Sequence, residues 1–328
     1  DPASWKFSTI GGNVAENAGG MRAVKYGVTK NYVMGLEVVL ADGAILWTGG
    51  KARKNVTGYD LTSLFTGSEG TLGIITRALF RLIPMPKRRG TLELMFRSLD
   101  DGCRTIHTML LSGILPAAAE IMDRICLEVV ARHRKTELHP EVGACVIIEI
   151  DGDDDASLEM QAGRIRDVAA SCGVVAFRAA RSPQEADEIW AVRRGISSAV
   201  AALAPNRIGE DISVPRDAFP EVVRRIREIS ERHGFTIAVY GHAGDGNIHP
   251  SILCDLSKPG EEERVHRAVD DIFAAALGVG GTLSGEHGIG ITKRPYLKDA
   301  LGDIGIRTLR AVKTALDPKG ILNPGKIW

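Results

Sequence analysis

The segment YGHAGDGNIHP, residues 240–250, places two histidines on either side of a Gly-Asp-Gly turn. Asp245-Gly246 is a preferred two-residue hairpin turn, because both central residues of a type I′ turn need positive φ. That turn predicts a hairpin with His242 directly opposite His249 and their Cβ atoms about 4.5–5.5 Å apart. Two imidazoles at that separation can reach one metal ion. The pair therefore favours a divalent-metal site, with two ordinary histidines on a sheet face as the alternative.

The third ligand of such a site is expected in GGTLSGEHGIG, residues 280–290. Glu286 and His287 are adjacent there, and adjacent side chains of an extended segment point to opposite sides. One can bind a metal ion while the other faces a substrate. Two histidines, a glutamate and an open position suit a Lewis-acid metal. A glycine-rich phosphate loop is the alternative, although GEHGIG matches GxGxxG poorly.

Hydropathy patterns predict two kinds of organisation along the chain. The first 86 residues are glycine-dense, with β patterns at 34–40, 44–48 and 74–83 and a hairpin signal at Asp42-Gly43. From Gly90 onward, β patterns alternate with amphipathic helical ones. The predicted strands are 91–96, 144–150, 174–179, 208–214, 236–240 and 248–254. The predicted helices are 101–111, 123–134, 156–171, 183–202, 217–232, 259–277 and 303–316. The pattern indicates helices covering a sheet, in an α/β or α+β architecture.

Composition describes an ordinary globular protein. The 328 residues allow two domains, and 44% are apolar and 25% charged. Forty-one basic residues balance 41 acidic ones, which gives no global reason to bind nucleic acid or an anionic membrane. No apolar run approaches the roughly 20 residues of a transmembrane helix. The five cysteines form no CxxC pair, so we expect buried, reduced thiols and a cytoplasmic location.

Several long motifs resemble one family. HAGDGNIHP, SGEHGIG and LDPKGILNPGKIW are similar to the C-terminal half of FAD-linked 2-hydroxy-acid dehydrogenases of the glycolate oxidase and D-lactate dehydrogenase type. STIGGNVAENAGGMRAVKYG, GLEVVLADG and TGYDLTSLFTGSEGTLGIIT resemble the later part of their FAD-binding domain. The resemblance covers essentially the whole chain, and the motifs stand in the same order.

The resemblance implies an α+β fold of the vanillyl-alcohol-oxidase type. Residues 1–86 would be the C-terminal part of the FAD-binding domain. Residues 87–290 would form a substrate domain, an antiparallel sheet covered by helices with the metal site, and 291–328 would return to the FAD domain. The family's FAD domain begins with a further lobe that this sequence lacks. We therefore expect a fragment of a longer protein, or a second chain that completes the site.

Site residues follow from the same resemblance. His242, His249 and Glu286 would bind a divalent metal, Zn or Mn, and His287 would be the catalytic base. Arg193, in EIWAVRRGIS, would hold the substrate carboxylate, although taken alone it suggests a solvated charge or ion-pair partner. The residues expected to line FAD are Gly11, Gly12, Asn13, Asn17, Gly19, Gly20, Gly58, Glu69, Gly73, Ile75 and Asn323. From the residues alone, those between Gly11 and Gly20 indicate a Gly/Asn-rich loop.

The implied reaction is oxidation of a small 2-hydroxy acid to the 2-oxo acid by hydride transfer to flavin. Hydroxyglutarate-type enzymes carry an asparagine at the position of Ser251 and a lysine near Gly209, and the absence of both here favours glycolate or D-lactate. The expected electron acceptor is an iron–sulfur protein, a quinone or a cytochrome, and the expected assembly is a homodimer, cytoplasmic or peripheral at the inner membrane. The alternatives are a flavin-free metal hydrolase and a non-catalytic subunit of a flavoprotein complex.

Overall fold

The computed structural model describes residues 2–328, which cluster into two compact units. The first unit comprises the residues up to Gly20 together with Gly27–Pro84 and Leu283–Trp328. The second comprises Met21–Tyr26 and Met85–Thr282. The sequence-based boundaries were placed after residues 86 and 290. The assignment of these segments to a FAD-binding domain and a substrate domain stays a prediction.

The helices and strands agree in type with most of the predicted ones. The strands are β1 (Val33–Val39), β2 (Ile45–Gly49), β3 (Ile74–Phe80), β4 (Arg88–Phe96), β5 (Ala118–Asp123), β6 (Ala144–Gly152), β7 (Val174–Ala179), β8 (Asn206–Gly209), β9 (Ile212–Ser213), β10 (Thr236–His242) and β11 (Asn247–Cys254). The α-helices are α1 (Ile10–Glu16), α2 (Ala23–Tyr26), α3 (Leu61–Phe65), α4 (Leu99–Leu111), α5 (Arg124–Arg134), α6 (Asp155–Ser171), α7 (Pro183–Ala201), α8 (Phe219–His233), α9 (Glu261–Leu277) and α10 (Leu297–Leu316). Short 3-10 turns lie at Thr29–Asn31 and Arg294–Tyr296.

The first unit is built on a three-stranded antiparallel sheet in the order β2-β1-β3. Its core joins α1, β1 and α3, with the C-terminal part of α10 packed against it. The buried core residues are Val14, Leu36, Val38, Phe65 and Leu72. At Asp42-Gly43 the predicted hairpin is present, with Gly43 at φ 87°. From Leu36 to Val39, buried and half-buried residues alternate along β1, as one covered face of a small sheet requires.

The Gly/Asn-rich segment predicted as a loop is partly a helix. The Thr9 side chain caps α1 by accepting from the backbone N–H of Gly12 at 3.0 Å. The helix ends at Asn17, which adopts the left-handed conformation that often terminates helices. Val14 is the buried anchor of this short helix. The loop prediction was therefore wrong for Ile10–Glu16. The N-cap at Thr9 and the buried Val14 stabilise the helix by more than the low helix propensity of the two glycines destabilises it.

The second unit is one eight-stranded antiparallel sheet. The order is β7-β4-β6-β5-β10-β11-β8, and the short β9 also pairs with β11. Helices α4 and α6 pack on one face, where Gly102 of α4 approaches the side chains of Ile121 and Val146. Helices α5 and α7 cover the other face through a core that includes Met122 and Ile147. The predicted antiparallel sheet covered by helices is therefore confirmed.

One central strand was not predicted. Strand β5 reads AAEIMD, and each of its residues is buried. Alanine and glutamate favour helices rather than strands. The strand forms because it lies between β6 and β10, where both of its backbone edges are hydrogen-bonded. Tertiary pairing thus overrides local propensity at the position that carries Glu120.

The predicted register of the histidine hairpin was wrong by two residues. His242 pairs with Asn247, and His249 pairs with Tyr240. Asp245 and Gly246 both donate their backbone N–H to the carbonyl of His242, so the connection is a four-residue loop. His242 and His249 are then diagonal neighbours on one face instead of opposed residues. Because a two-residue change of register preserves the face, the two rings still meet.

No helix within residues 2–328 is both long enough and apolar enough to cross a membrane. The five cysteines are buried free thiols, as predicted. Burial raises the pKa of Cys126 and Cys145 well above the ordinary thiol value. These two side chains are therefore packing residues of the sheet.

Gly73 tests the core of the first unit. A Cβ at this position would clash with Cγ1 of Val38 and approach Cε1 of Phe65 to 3.2 Å. We expect Gly73→Ala to lower the free energy of unfolding by about 1–3 kcal/mol, since added volume strains a packed core. Gly163→Ala is the control, because its Cβ on helix α6 meets nothing within 4 Å. The control should raise stability by roughly 0.5–1 kcal/mol, and urea titration measures both. Equal effects would contradict the packing.

Candidate active site

Strand register gathers the functional side chains on one face of the second unit's sheet. Tyr240 pairs with Met122 across β10 and β5, so the same register brings His242 beside Glu120. His249 pairs with Tyr240 on the other side of β10. Alternate residues of a strand share a face. Glu120, Tyr240, His242 and His249 therefore stand on the sheet face that α5 and α7 cover.

Glu120 is the centre of this group. Its side chain is completely buried, and each carboxylate oxygen has its own partner. Oε1 lies 2.6 Å from Nδ1 of His242, and Oε2 accepts from Nε of Arg193 at 2.6 Å. One carboxylate thus connects a strand histidine to a helix arginine.

The electrostatics of Glu120 favour the ionised form. Burial by itself raises the pKa of a carboxyl group, but His242 and Arg193 outweigh it and hold the pKa of Glu120 below its usual range. An ionised carboxylate only accepts hydrogen bonds, so Nδ1 of His242 must donate. When the imidazole is neutral, Nδ1 therefore carries the proton and Nε2 of His242 carries the lone pair.

Arg193 is buried, in contrast to the solvated charge that it suggests when taken alone. It lies on α7 among the buried residues Ile189, Trp190 and Ile196, and the whole residue is 8% exposed. Its guanidinium carbon stands 5.1 Å from the ring centroid of Tyr240, in cation–π geometry. Within residues 2–328 its terminal nitrogens donate no hydrogen bond, so the guanidinium fork retains its capacity for an anion.

His249 completes a closed ring of contacts. Its imidazole centroid is 5.1 Å from that of His242, edge-on, and 5.6 Å from the ring of Tyr240. The buried carboxylate of Asp211 lies 3.8 Å from Nδ1 of His249 and accepts from Nδ2 of Asn247 at 2.7 Å. Both predicted histidine ligands are therefore buried, close together and accompanied by a carboxylate.

The two positions considered for substrate choice are direct neighbours. Ser251 on β11 pairs with Gly209 on β8. Ser251 is completely buried and lies two residues beyond His249. Alternation along the strand places it on the face that carries the histidines. The floor of the site at this end is therefore built of small side chains.

The segment Met21–Tyr26 belongs to the same face. Arg22 forms a two-point ion pair with Glu149, Nε to Oε1 at 2.7 Å and Nη2 to Oε2 at 2.9 Å. Lys25 and Tyr26 both hydrogen-bond the buried carboxylate of Asp151. Burial and this carboxylate raise the pKa of Tyr26 to about 12, so its hydroxyl keeps its proton. These buried pairs fix a short helix on the sheet without involving the histidines.

In the first unit, distant segments converge on Glu69. Its carboxylate accepts from the backbone N–H groups of Ile289 and Gly290 at 2.7 and 2.8 Å. The side-chain amide of Asn323 donates to its backbone carbonyl at 2.6 Å. Glu69 adopts φ 53°, a conformation that these three contacts hold. Two positions predicted to line a cofactor, Glu69 and Asn323, are thus brought together with the loop at 289–290.

The other predicted positions in the first unit have different surroundings. Glu286 and His287 stand on the loop before Gly288, and the His287 side chain is 58% exposed. Gly58 lines a cavity of about 520 Å³ beside Thr48 and Tyr59. The remaining predicted residues differ in burial. Gly11 and Gly12 are exposed, Asn13 and Asn17 are half-buried, and Gly19 and Gly20 are buried. Gly73 and Ile75 lie in or beside the core of the first unit. Their contact with a cofactor stays a prediction.

Sequence reasoning missed Glu120, Tyr240 and Asp211. Glu120 is a single charge in an apolar run, which is the pattern of a buried and paired carboxylate. Arg193 similarly interrupts the apolar stripe of α7, four residues after Ile189. For Glu120 and Arg193, the sequence feature that indicates a special role is therefore a charged residue within an apolar pattern, and not a catalytic motif.

Two adjacent arginines test the buried pair. Arg193→Leu leaves the buried charge of Glu120 with one partner fewer, and we expect the free energy of unfolding to fall by about 3 kcal/mol. Arg194→Leu removes the exposed pair with Asp187 and should cost less than about 1 kcal/mol. Urea unfolding of both variants measures the difference. Equal losses would show that Glu120 does not need Arg193.

Comparisons with known proteins identify the family of the chain. Residues 85–327 match the family model for the C-terminal domain of FAD-linked oxidases, and residues 1–49 match a FAD-binding domain. Glycolate oxidase subunit GlcD of Bacillus subtilis (strain 168) is 43% identical over 328 residues, which are 100% of this chain and 70% of that protein. D-lactate dehydrogenase of Anaerostipes hadrus is 36% identical, over 100% of this chain and 70% of its own.

Solved structures share the fold. 4-Ethylphenol oxidase from Gulosibacter chungangensis superposes with a TM-score of 0.72 at 24% identity, covering 98% of this chain and 70% of its own. p-Cresol methylhydroxylase gives a TM-score of 0.77 at 17% identity, covering 100% and 70%. These matches confirm the predicted fold class, and the curated relatives and the family model extend the agreement to the sequence. The chain belongs to the FAD-linked oxidases.

Proposed function

We propose that this chain oxidises glycolate or D-lactate to the 2-oxo acid, using FAD and a divalent metal. The observation that carries the proposal is the buried carboxylate of Glu120, which joins His242 to Arg193 on one sheet face. The names of the relatives, a glycolate oxidase and a D-lactate dehydrogenase, support this substrate class. The match to FAD-linked oxidases argues against the flavin-free hydrolase.

Arg193 binds the substrate carboxylate in this proposal. A guanidinium fork fits a carboxylate with two parallel hydrogen bonds, which orients the acid as well as attracting it. Nε is engaged by Glu120, so the terminal nitrogens serve the substrate. A site that buries this arginine binds an anion strongly because little water competes.

His242 and His249 are the proposed metal ligands in the second unit. Zinc and manganese ions bind imidazole nitrogens, and metal-binding histidines commonly hydrogen-bond to carboxylates. These residues therefore fit a divalent zinc or manganese ion. The distance of 5.1 Å between their ring centroids suits two ligands of one ion. A bound divalent ion supplies Lewis-acid chemistry, which makes the substrate hydroxyl more acidic. The proposed ion is zinc or manganese.

Glu286 as third ligand and His287 as base are proposals that rest on the resemblance. Both residues lie in the first unit, at the loop whose backbone N–H groups bind Glu69. An imidazole nitrogen can accept a proton from a hydroxyl group, so a histidine at position 287 fits the role of the base.

FAD is assigned to the first unit in this proposal. Gly11, Gly58 and Gly290 have no heavy atom within 4 Å of the position of an added Cβ. Because no atoms lie close to the backbone at these glycines, a flat cofactor can approach it closely, and the three residues therefore fit FAD. Bound flavin supplies the redox chemistry. Glu69 and Asn323 would act by holding the loop at 288–290 in place.

Small side chains at the floor of the site support a small substrate. Ser251 and Gly209 form a cross-strand pair near His249, and neither carries a positive charge for a second carboxylate. Glycolate and D-lactate need no such group. The word subunit in the name of the Bacillus relative supports an external acceptor, an iron–sulfur partner, a quinone or a cytochrome. A homodimer is also part of the proposal.

The flavin spectrum tests the proposed reaction. The purified chain is loaded with FAD and mixed anaerobically with glycolate, D-lactate, L-lactate or D-2-hydroxyglutarate. We expect glycolate or D-lactate to bleach the flavin band at least tenfold faster than D-2-hydroxyglutarate, and a chelator to abolish bleaching. The Bacillus relative, treated identically, controls for flavin loading. Preference for D-2-hydroxyglutarate, or no bleaching in flavin-loaded chain, would contradict the proposal.

Histidine variants give the metal part of the same test. His242→Ala and His249→Ala should lose bound metal and bleaching together, as measured by elemental analysis and absorbance. His266→Ala, on the exposed side of α9, is the matched control and should retain both. Full metal content and full activity in both site variants would overturn the metal assignment.

A further inference from the structure

We propose that Glu120 is a positioning residue that serves metal binding and substrate-carboxylate binding at the same time. The inference deepens the proposed function and rests on it, since His242 is taken as a metal ligand and Arg193 as the carboxylate-binding residue. Glu120 itself touches neither reactant. Its role is to hold both groups through its two carboxylate oxygens.

The geometry makes each oxygen specific for one partner. Oε1 lies 2.6 Å from Nδ1 of His242, and Oε2 lies 2.6 Å from Nε of Arg193. The glutamate is completely buried, so bulk water does not compete for either bond. Hydrogen bonds between charged partners are short and strong in such surroundings. The carboxylate is therefore a fixed bridge rather than one of several exchangeable acceptors.

For His242 the bridge selects tautomer and ring orientation. A carboxylate at Nδ1 keeps the proton there and directs the Nε2 lone pair away from β5. Carboxylates that accept from a metal-bound histidine raise its basicity, and removing them typically lowers metal affinity 10- to 100-fold.

For Arg193 the bridge fixes the plane of the guanidinium. Glu120 holds Nε, and the ring of Tyr240 packs against the guanidinium with its centroid 5.1 Å away. With one nitrogen and one face engaged, the terminal nitrogens have a defined direction. A carboxylate bound there gains two-point geometry without the entropic cost of ordering a free side chain. Loss of the bridge should therefore weaken carboxylate binding even though Arg193 is still present.

Glu120→Gln is the test, with Glu149→Gln as matched control. Glu149 is a buried glutamate on the same sheet face, but its partner is Arg22. Calorimetry of the flavin-free chain gives the zinc affinity, then the D-lactate affinity at saturating zinc. Methyl D-lactate, which has the hydroxyl but no carboxylate, isolates the part of binding that Arg193 provides.

We expect Glu120→Gln to weaken zinc binding 10- to 100-fold and D-lactate binding about tenfold, with methyl D-lactate unchanged within twofold. Glu149→Gln should change all three affinities by less than twofold. Loss of only one of the two affinities would overturn the bridge, because Glu120 would then serve one partner alone. Unchanged affinities would overturn it as well.

A second variant protects the test against a folding defect. Glu120→Asp keeps the buried charge but shortens the side chain by one methylene, so it cannot reach both partners. It should weaken zinc and D-lactate binding, and wild-type affinities would overturn the inference. The outcome is separable from the proposed function: a wild-type chain that binds neither zinc nor D-lactate refutes the function, whereas a variant that binds both normally refutes only the bridge.

Discussion

The buried ion pair of Glu120 and Arg193 is the constraint on which the site depends. A carboxylate without solvent must be compensated by charge and hydrogen bonds, or its burial costs several kcal/mol. Glu120 achieves this with one bond to Arg193 and one to His242. The compensation therefore fixes a helix, α7, to two strands, β5 and β10. It also places a guanidinium and an imidazole in one location, so the contacts that stabilise the fold also position the residues of the proposed site.

The antiparallel sheet explains why these groups meet. Tyr240 pairs with Met122 and with His249, so three neighbouring strands present their functional side chains on one face. Apolar residues of α5 and α7 cover that face around the polar group and exclude water from it. In the first unit the equivalent organising contact is Glu69, whose two oxygens hold the backbone at 289 and 290. Both units thus use a carboxylate to bring distant segments together.

Much of this could be predicted from the sequence, and the omissions have physical causes. Alternating patterns identified most strands and helices, because one-sided burial repeats every two or 3.6 residues. Strand β5 was missed because its Ala-rich sequence has no local strand signal and forms only between its neighbours. The hairpin turn at 245–246 suggested a tight register, but the loop is four residues long. His242 and His249 were predicted from the spacing of one motif and Arg193 from the family resemblance. Glu120 was not predicted, since its contacts with His242 and Arg193 exist only in the folded chain.

A crystal structure of the chain grown with zinc, with data collected at the zinc absorption edge, tests the central claim most directly. The claim is that this sheet face binds a metal ion through histidines positioned by buried carboxylates. It predicts one strong anomalous peak about 2.0–2.1 Å from Nε2 of His242 and from a ring nitrogen of His249. Glu120 should still lie within hydrogen-bonding distance of Nδ1. Zinc located only elsewhere, with both imidazoles unliganded, would contradict the account.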